Sequence, residues 1–176
     1  KKGQPWGCED ILITKNTVFH AHGGFVIGSE DMGGMHRLVV RENQFSGTDT
    51  GLRFKSAIGR GGVTGDVFIS DIFMTDITAE AIIFECDYAN RPAGGEAQGP
   101  QKESPFVPHF QDIHIDRVVC RGAKVGIKAS GIDGLDCVKD IFISNSTITY
   151  WKTDKDINSA TAKLTLQNVK LLKEGQ

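Results

Sequence analysis

The chain has 176 residues, and 22 acidic against 20 basic side chains give it a formal net charge of −2. We expect neither nucleic acid nor a membrane as a partner. Nucleic-acid-binding proteins usually carry a basic excess, and no apolar run approaches the roughly 20 residues that a membrane helix needs. Ile and Val far outnumber Leu, and glycine is frequent at 21 residues. Because β-branched side chains favour strands and glycine favours turns, this composition predicts many short strands and excludes a helical bundle.

Taken in chain order, one short pattern recurs six times: a polar residue, often Asp, is followed by an apolar residue, a variable residue and a second apolar residue. In the first copy, alternation along a strand sends Ile11 and Ile13 to one side and Leu12 to the other. The copies lie at 10–13, 37–40, 66–69, 112–115, 140–143 and 163–166.

A second apolar pattern follows each of the first four copies, at 24–28, 51–55, 81–85 and 126–129. Each repeat therefore holds at least two short strands, which is typical of a solenoid. Leucine is too scarce for a leucine-rich repeat, and the period is too short for a propeller blade of about 40 residues. We predict an all-β, single-stranded parallel β-helix. The alternative is a β-sandwich with an accidental repeat, although the sequence lacks the Asn-Gly pairs that hairpins favour.

The segment 87–108 interrupts the repeat and holds four of the five prolines. It carries no regular apolar pattern, so we predict a loop excursion between coils rather than a further coil. Long loops of this kind are often functional. A surface excursion and a substrate-facing loop both remain open here.

The cysteines and histidines show no metal-binding spacing, so we expect no metal and no cofactor. Buried free thiols are the favoured state of the cysteines, because free Cys behaves as a small hydrophobe. The sequence leaves open which of them, if any, form disulfides. The four cysteines are Cys8, Cys86, Cys120 and Cys137.

Two stretches resemble motifs of the polygalacturonases, glycoside hydrolase family twenty-eight. Ala21-His22-Gly23 is similar to that family's Gly-His-Gly motif, and Arg53-Phe54-Lys55 is similar to its Arg-Ile-Lys motif. The resemblance implies a right-handed parallel β-helix that hydrolyses galacturonic-acid linkages in pectin with inversion. It also implies a pectic polysaccharide or oligogalacturonide as the partner, and a secreted or periplasmic location.

Family members take their catalytic carboxylates from an Asn-Thr-Asp motif and an Asp-Asp motif upstream of Gly-His-Gly. Here Asn16-Thr17 is followed by Val18, and no Asp-Asp pair occurs. We therefore expect residues 1–176 to be one partial β-helix domain, the C-terminal portion of a longer bacterial-type enzyme whose N-terminal coils and catalytic aspartates precede Lys1. We expect the 176-residue chain alone to be inactive.

The alignment of 24–28 with 51–55 predicts that Leu52 and Phe54 point inward and that Arg53 and Lys55 share the outer face. With the resemblance, we expect these two cations to bind a galacturonate carboxylate, to which Arg presents a planar fork and Lys a point charge. An ordinary solvated face, or an ion pair with an acid of the next coil, is the competing interpretation. The resemblance implies a supporting catalytic role for His22, at the entrance of the strand one coil earlier.

Three hypotheses remain: part of a pectin-degrading glycosidase, a non-catalytic β-helix that binds acidic polysaccharide, and a structural β-helix without a ligand. Inverting hydrolysis requires one acid and one base. The acids near the two motifs are Glu30, Asp31 and Asp49. Spacing alone gives none of them a catalytic role.

Overall fold

The computed structural model of the chain describes residues 6–86 and 106–175, and these residues form ten β-strands. Every pairing between these strands is parallel. No helix in the described ranges is long and apolar enough to cross a membrane. The strands are β1 (Cys8–Thr14), β2 (Thr17–Phe19), β3 (Gly23–Ile27), β4 (Met35–Ser46), β5 (Thr50–Lys55), β6 (Val63–Glu85), β7 (His109–Phe110), β8 (Ile113–Ser130), β9 (Val138–Ile157) and β10 (Ala162–Lys173).

Successive turns of the chain stack into coils, and equivalent strands of neighbouring coils pair to form a first sheet. Its register matches the repeat read from the sequence, because each copy's last apolar residue pairs with that of the next coil. The predicted parallel β-helix is confirmed. The paired residues are Ile13, Val40, Ile69, Ile115, Ile143 and Leu166.

The structure adds a second sheet that the sequence pattern did not separate from the first. Val18 of β2 pairs with Phe45 of β4, which in turn pairs with Met74 of β6. One residue in the left-handed region, such as Glu42 (φ 55°) or Asp71 (φ 56°), turns the chain from the first sheet into the second. Each complete coil thus has three strand segments, where the sequence predicted at least two.

The Asp that opens most copies of the repeat has a conformational cause. Asp10, Asp66, Asp112 and Asp140 all have positive φ, between 52° and 58°. Among residues other than glycine, Asp and Asn tolerate this region best, because their short polar side chains bond locally. The recurring Asp is therefore a corner residue just before the inward-facing apolar positions.

The inner faces of the sheets form one continuous apolar core. Leu52 and Phe54 are both fully buried, as the alignment predicted. The Phe54 ring stacks on Phe84 with centroids 4.4 Å apart, and the edges of Phe25 and Phe110 close the cluster. This cluster lies directly beneath the third sheet, formed by β3, β5 and the last segments of β6, β8 and β9.

All four cysteines are free thiols. Cys86, Cys120 and Cys137 are buried, as predicted, but the prediction of burial is wrong for Cys8. That residue begins β1 in the first coil, which pairs only with the coil after it among the described residues. Most of the predicted loop at 87–108 lies outside the described residues, from 87 to 105, so it stays a prediction.

Candidate active-site cleft

The third sheet brings the two sequence motifs onto neighbouring coils. Gly23 pairs with Thr50, which places His22 beside Asp49, and Val26 pairs with Arg53. This is the alignment expected from the two glycine-led segments. The residues that the sequence singled out therefore sit within one coil spacing, about 4.8 Å, of each other.

His22 bridges an acid and a cation. Its Nδ1 lies 2.8 Å from Asp49 Oδ2, and its Nε2 lies 2.9 Å from Nη1 of Arg53. Arginine has no acceptor, so Nε2 must accept this bond from the guanidinium while Nδ1–H donates to Asp49. The geometry therefore assigns the proton of His22 to Nδ1, in the neutral tautomer.

Asp49 anchors this arrangement from the second coil. It accepts the hydrogen bond from His22 and a second one from Thr78 Oγ1, at 3.2 Å, in the third coil. These bonds, with the nearby charge of Arg53, lower the pKa of the Asp49 carboxyl. Spacing alone gave Asp49 no role. The signal that could have revealed one was its alignment with His22.

Arg53 lies on the outer face between buried Leu52 and Phe54, but it is not an open cation. Its side chain is 11% exposed, and Nη2 lies 3.7 Å from Glu85 Oε2 in the next coil. This ion pair is the competing interpretation raised by the sequence. The guanidinium is thus held by His22 on one side and by Glu85 on the other.

Lys55 ends β5, and its register partner in β6 is Glu85. The same acid therefore pairs with Arg53 and lies beside Lys55 along the sheet. Sequence reasoning did not identify Glu85. The fourth residue of the 81–85 segment aligns with Phe54, so the fifth, Glu85, could have been aligned with Lys55.

The other two nearby acids belong to the turns between coils. Glu30 forms an ion pair with Arg60 at 2.6 Å, and Asp31 accepts a hydrogen bond from Thr64 Oγ1, also at 2.6 Å. Burial raises the pKa of the Asp31 carboxyl. The Arg60 contact ties the turn after the first coil to the turn after the second coil, and the Thr64 contact ties it to the start of the third coil.

Chemically, the cluster can bind an anion and hold an imidazole in a fixed tautomer. Asp49 and Glu85 are both engaged with His22 or Arg53, so neither supplies the free acid and base that inverting hydrolysis needs. Within residues 6–86 and 106–175, no group of three or more His, Cys, Asp or Glu residues could hold a metal ion.

Comparisons with known proteins identify the family of the chain. The model of the family "Glycosyl hydrolases family 28" matches residues 5–166. A polygalacturonase of Ralstonia nicotianae is 32% identical over 124 residues, which cover 68% of this chain and 22% of that protein. An exo-poly-alpha-D-galacturonosidase of Dickeya chrysanthemi is 30% identical over 136 residues, covering 77% of this chain and 22% of that protein. The chain thus spans less than a quarter of the length of either relative.

Among solved structures, a hyperthermoactive exopolygalacturonase from Thermotoga maritima superposes with a TM-score of 0.76 at 26% identity. The superposition covers 92% of this chain and 34% of that structure. It confirms the right-handed parallel β-helix. The family match spans nearly the whole chain, and both motifs lie within it, so the chain belongs to glycosyl hydrolases family 28.

Proposed function

We propose that this chain forms the C-terminal coils of a pectin-degrading glycosidase that cleaves galacturonic-acid linkages with inversion. The observation that carries the proposal is the 2.9 Å contact between His22 and Arg53, which brings the two motif residues together on the outer face of the third sheet. The family and the names of the relatives support the substrate class.

Arg53 and Lys55 bind a carboxylate of the polymer in this proposal. The guanidinium is planar and held in place, so it is preorganised for a carboxylate, and the ammonium of Lys55 adds a second positive charge. His22 supports the reaction by contacting the sugar or the catalytic aspartates. Those aspartates come from upstream coils, and the 176-residue chain alone is inactive.

A polymer substrate of this kind is met outside the cytoplasm, so the proposal includes a secreted or periplasmic location. An intact mass and an N-terminal sequence of the natural protein test its upstream part. We expect residues before Lys1 that include Asn-Thr-Asp and Asp-Asp motifs. A natural protein that starts at Lys1 would contradict the hydrolase proposal and favour a non-catalytic module that binds acidic polysaccharide.

The activity is tested by following reducing ends released from polygalacturonate by the natural full-length protein. Arg53→Ala removes a hydrogen bond to a charged group, worth about 1.5–3 kcal/mol, so we expect kcat/KM to fall by tenfold or more. Arg117→Ala is the matched control, because Arg117 forms its ion pairs with Asp71 and Asp116 at another corner of the coils. Its kcat/KM should stay within about twofold of wild type. Equal losses in both variants, or no release by wild type, would contradict the proposal.

A further inference from the structure

We propose that Glu85 is a positioning residue that acts through Arg53 as an internal competitor, weakening the hold of the Arg53–Lys55 site on a galacturonate carboxylate. The inference rests on the proposed function and extends it. Neither sequence motif contains Glu85, which enters the cleft from the third coil.

The first support is geometric. Glu85 Oε2 lies 3.7 Å from Nη2 of Arg53, and the two side chains are 23% and 11% exposed. A guanidinium this enclosed has little freedom to swing away, so an arriving carboxylate meets it with Glu85 already at its side. Ligand and Glu85 thus draw on the same positive charge.

The second support is the charge of the cluster. Arg53 and Lys55 contribute two positive charges, and Asp49 and Glu85 contribute two negative ones, while the tautomer assigned to His22 is neutral. Glu85 is thus one of two carboxylates that offset these two cations. Removing the Glu85 charge makes the surroundings of Arg53 more positive by one unit, at a range where solvent screening is incomplete because both side chains are mostly enclosed.

The third support is the role that such an offset serves in catalysis. A polymer with a charge on every sugar is attracted to an unopposed cationic site equally in the ground state and in the transition state. Binding that is equally strong in both states lowers KM without raising kcat. An internal carboxylate moderates this uniform attraction and leaves the fixed guanidinium in place.

The same sheet offers a matched control. Glu80 lies 4.0 Å from Lys128, with side chains 18% and 33% exposed. This pair resembles the Glu85–Arg53 pair in burial and separation but involves neither motif. Removing the negative charge of Glu80 therefore measures how far any loss of a carboxylate from this face changes affinity.

The test is the dissociation constant of a saturated oligogalacturonide, measured calorimetrically at low salt with the natural full-length protein. We expect Glu85→Gln, which keeps the shape of the side chain, to bind about three- to tenfold tighter than wild type, and Glu80→Gln to change affinity by less than about twofold. In an Arg53→Ala background, the gain from Glu85→Gln should be smaller, because only the charge of Lys55 remains for Glu85 to offset. KM should fall with the dissociation constant while kcat does not rise.

Each contrary outcome has a distinct meaning. In one outcome, wild type binds and Arg53→Ala weakens binding, but Glu85→Gln leaves binding unchanged or weaker. Glu85 then merely supports Arg53, so the inference is overturned while the proposed function stands. If wild type shows no binding, or Arg53→Ala equals wild type, the proposed function fails and takes the inference with it. Glu85→Ser provides a second charge-removing variant, checked by its melting temperature, in case Glu85→Gln does not fold.

Discussion

The first and third sheets cover the same core, yet their outer faces differ in chemistry. On the first sheet, one outward row running across the coils is mostly apolar. Its members are Leu12, Val39, Phe68, His114, Phe142 and Thr165. The corresponding row on the third sheet carries charged residues among apolar ones. Its members are Val26, Arg53, Ile83, Lys128 and Asp156.

The coil spacing is used differently in the two rows. Phe68 and His114 stack with centroids 5.1 Å apart, and His114 and Phe142 with centroids 4.9 Å apart, and the ring planes are nearly parallel. His114 therefore has a ring on each of its faces, and Phe68 and Phe142 each have one face covered by His114. On the third sheet, Arg53 meets the imidazole of His22 from the coil before it and the carboxylate of Glu85 from the coil after it. The same spacing between coils therefore gives stacked rings where neighbouring coils carry flat rings, and a polar cluster where they carry groups that can hydrogen-bond or form ion pairs.

The largest expected effect is on stability, and it compares a ring buried beneath the third sheet with a ring on the outer face of the first sheet. Phe54→Ala empties a fully buried position in a four-ring cluster, so it should lower the free energy of unfolding by about 3–5 kcal/mol. Phe68→Ala removes a half-exposed ring with one stacked neighbour and should cost about 1 kcal/mol. Urea unfolding measures both. Equal losses would mean that the inner cluster is not the main source of stability.

The next effect sharpens the view of the third sheet as the functional face. Asp49→Ala removes the group that accepts the hydrogen bond from Nδ1–H of His22, so the imidazole keeps only one of the two bonds that orient it. We expect kcat/KM on polygalacturonate to fall about tenfold, which corresponds to one hydrogen bond to a charged group. Asp71→Ala, at the first-sheet corner, is the control and should stay near wild type. If Asp71→Ala lost as much activity, the effect of Asp49→Ala would be structural.

Acid titration compares the corners of the first sheet with the cleft. A hydrogen bond from Arg117 lowers the pKa of Asp71, and a hydrogen bond from His22 lowers the pKa of Asp49. A lowered pKa gives stability that is fully present above the unfolded value near 3.8 and is lost as the pH falls through the folded value. The melting temperature should therefore drop below about pH 4, and the drop should be smaller in Asp71→Asn and Asp49→Asn. A wild-type melting temperature that stayed flat from pH 6 to pH 3 would contradict this.

The smallest effect concerns Asp31, in the turn that ties the first two coils together. Burial raises its pKa, so its contribution to stability is fully present below the unfolded value near 3.8 and is lost as the pH rises through the folded value. Asp31→Asn should melt about 2 °C higher than wild type at pH 7, and the difference should vanish below pH 4. Thermal melts at the two pH values measure it. A variant less stable at pH 7 would show that the Thr64 contact requires the carboxylate.

Much of the fold was predictable because it is periodic. The alternation around Ile11 and Ile13 recurs every 23 to 29 residues, except across the step that contains the 87–108 segment, and it predicted the first-sheet strands, their register and their inward faces. The second sheet was not predictable from that pattern, because a single left-handed residue such as Glu42 separates two strands that read as one apolar run.

The site was predictable only where a motif marked it. His22 and Arg53 came from the motifs, and their contact follows from the aligned glycines. Glu85 could have been found by extending the alignment of the third-sheet segments to Lys55. Thr78 contacts Asp49 from a coil 29 residues later in the sequence, and no local pattern marks it.

The central claim is that Arg53 and Lys55 recognise the carboxylate of the sugar. The most direct test compares the dissociation constants of an oligogalacturonide and of its methyl-esterified, uncharged counterpart for the natural full-length protein and for Arg53→Ala. We predict that wild type prefers the acid by about tenfold or more, and that Arg53→Ala loses most of this preference. Equal affinity of wild type for the acid and the ester would contradict the account.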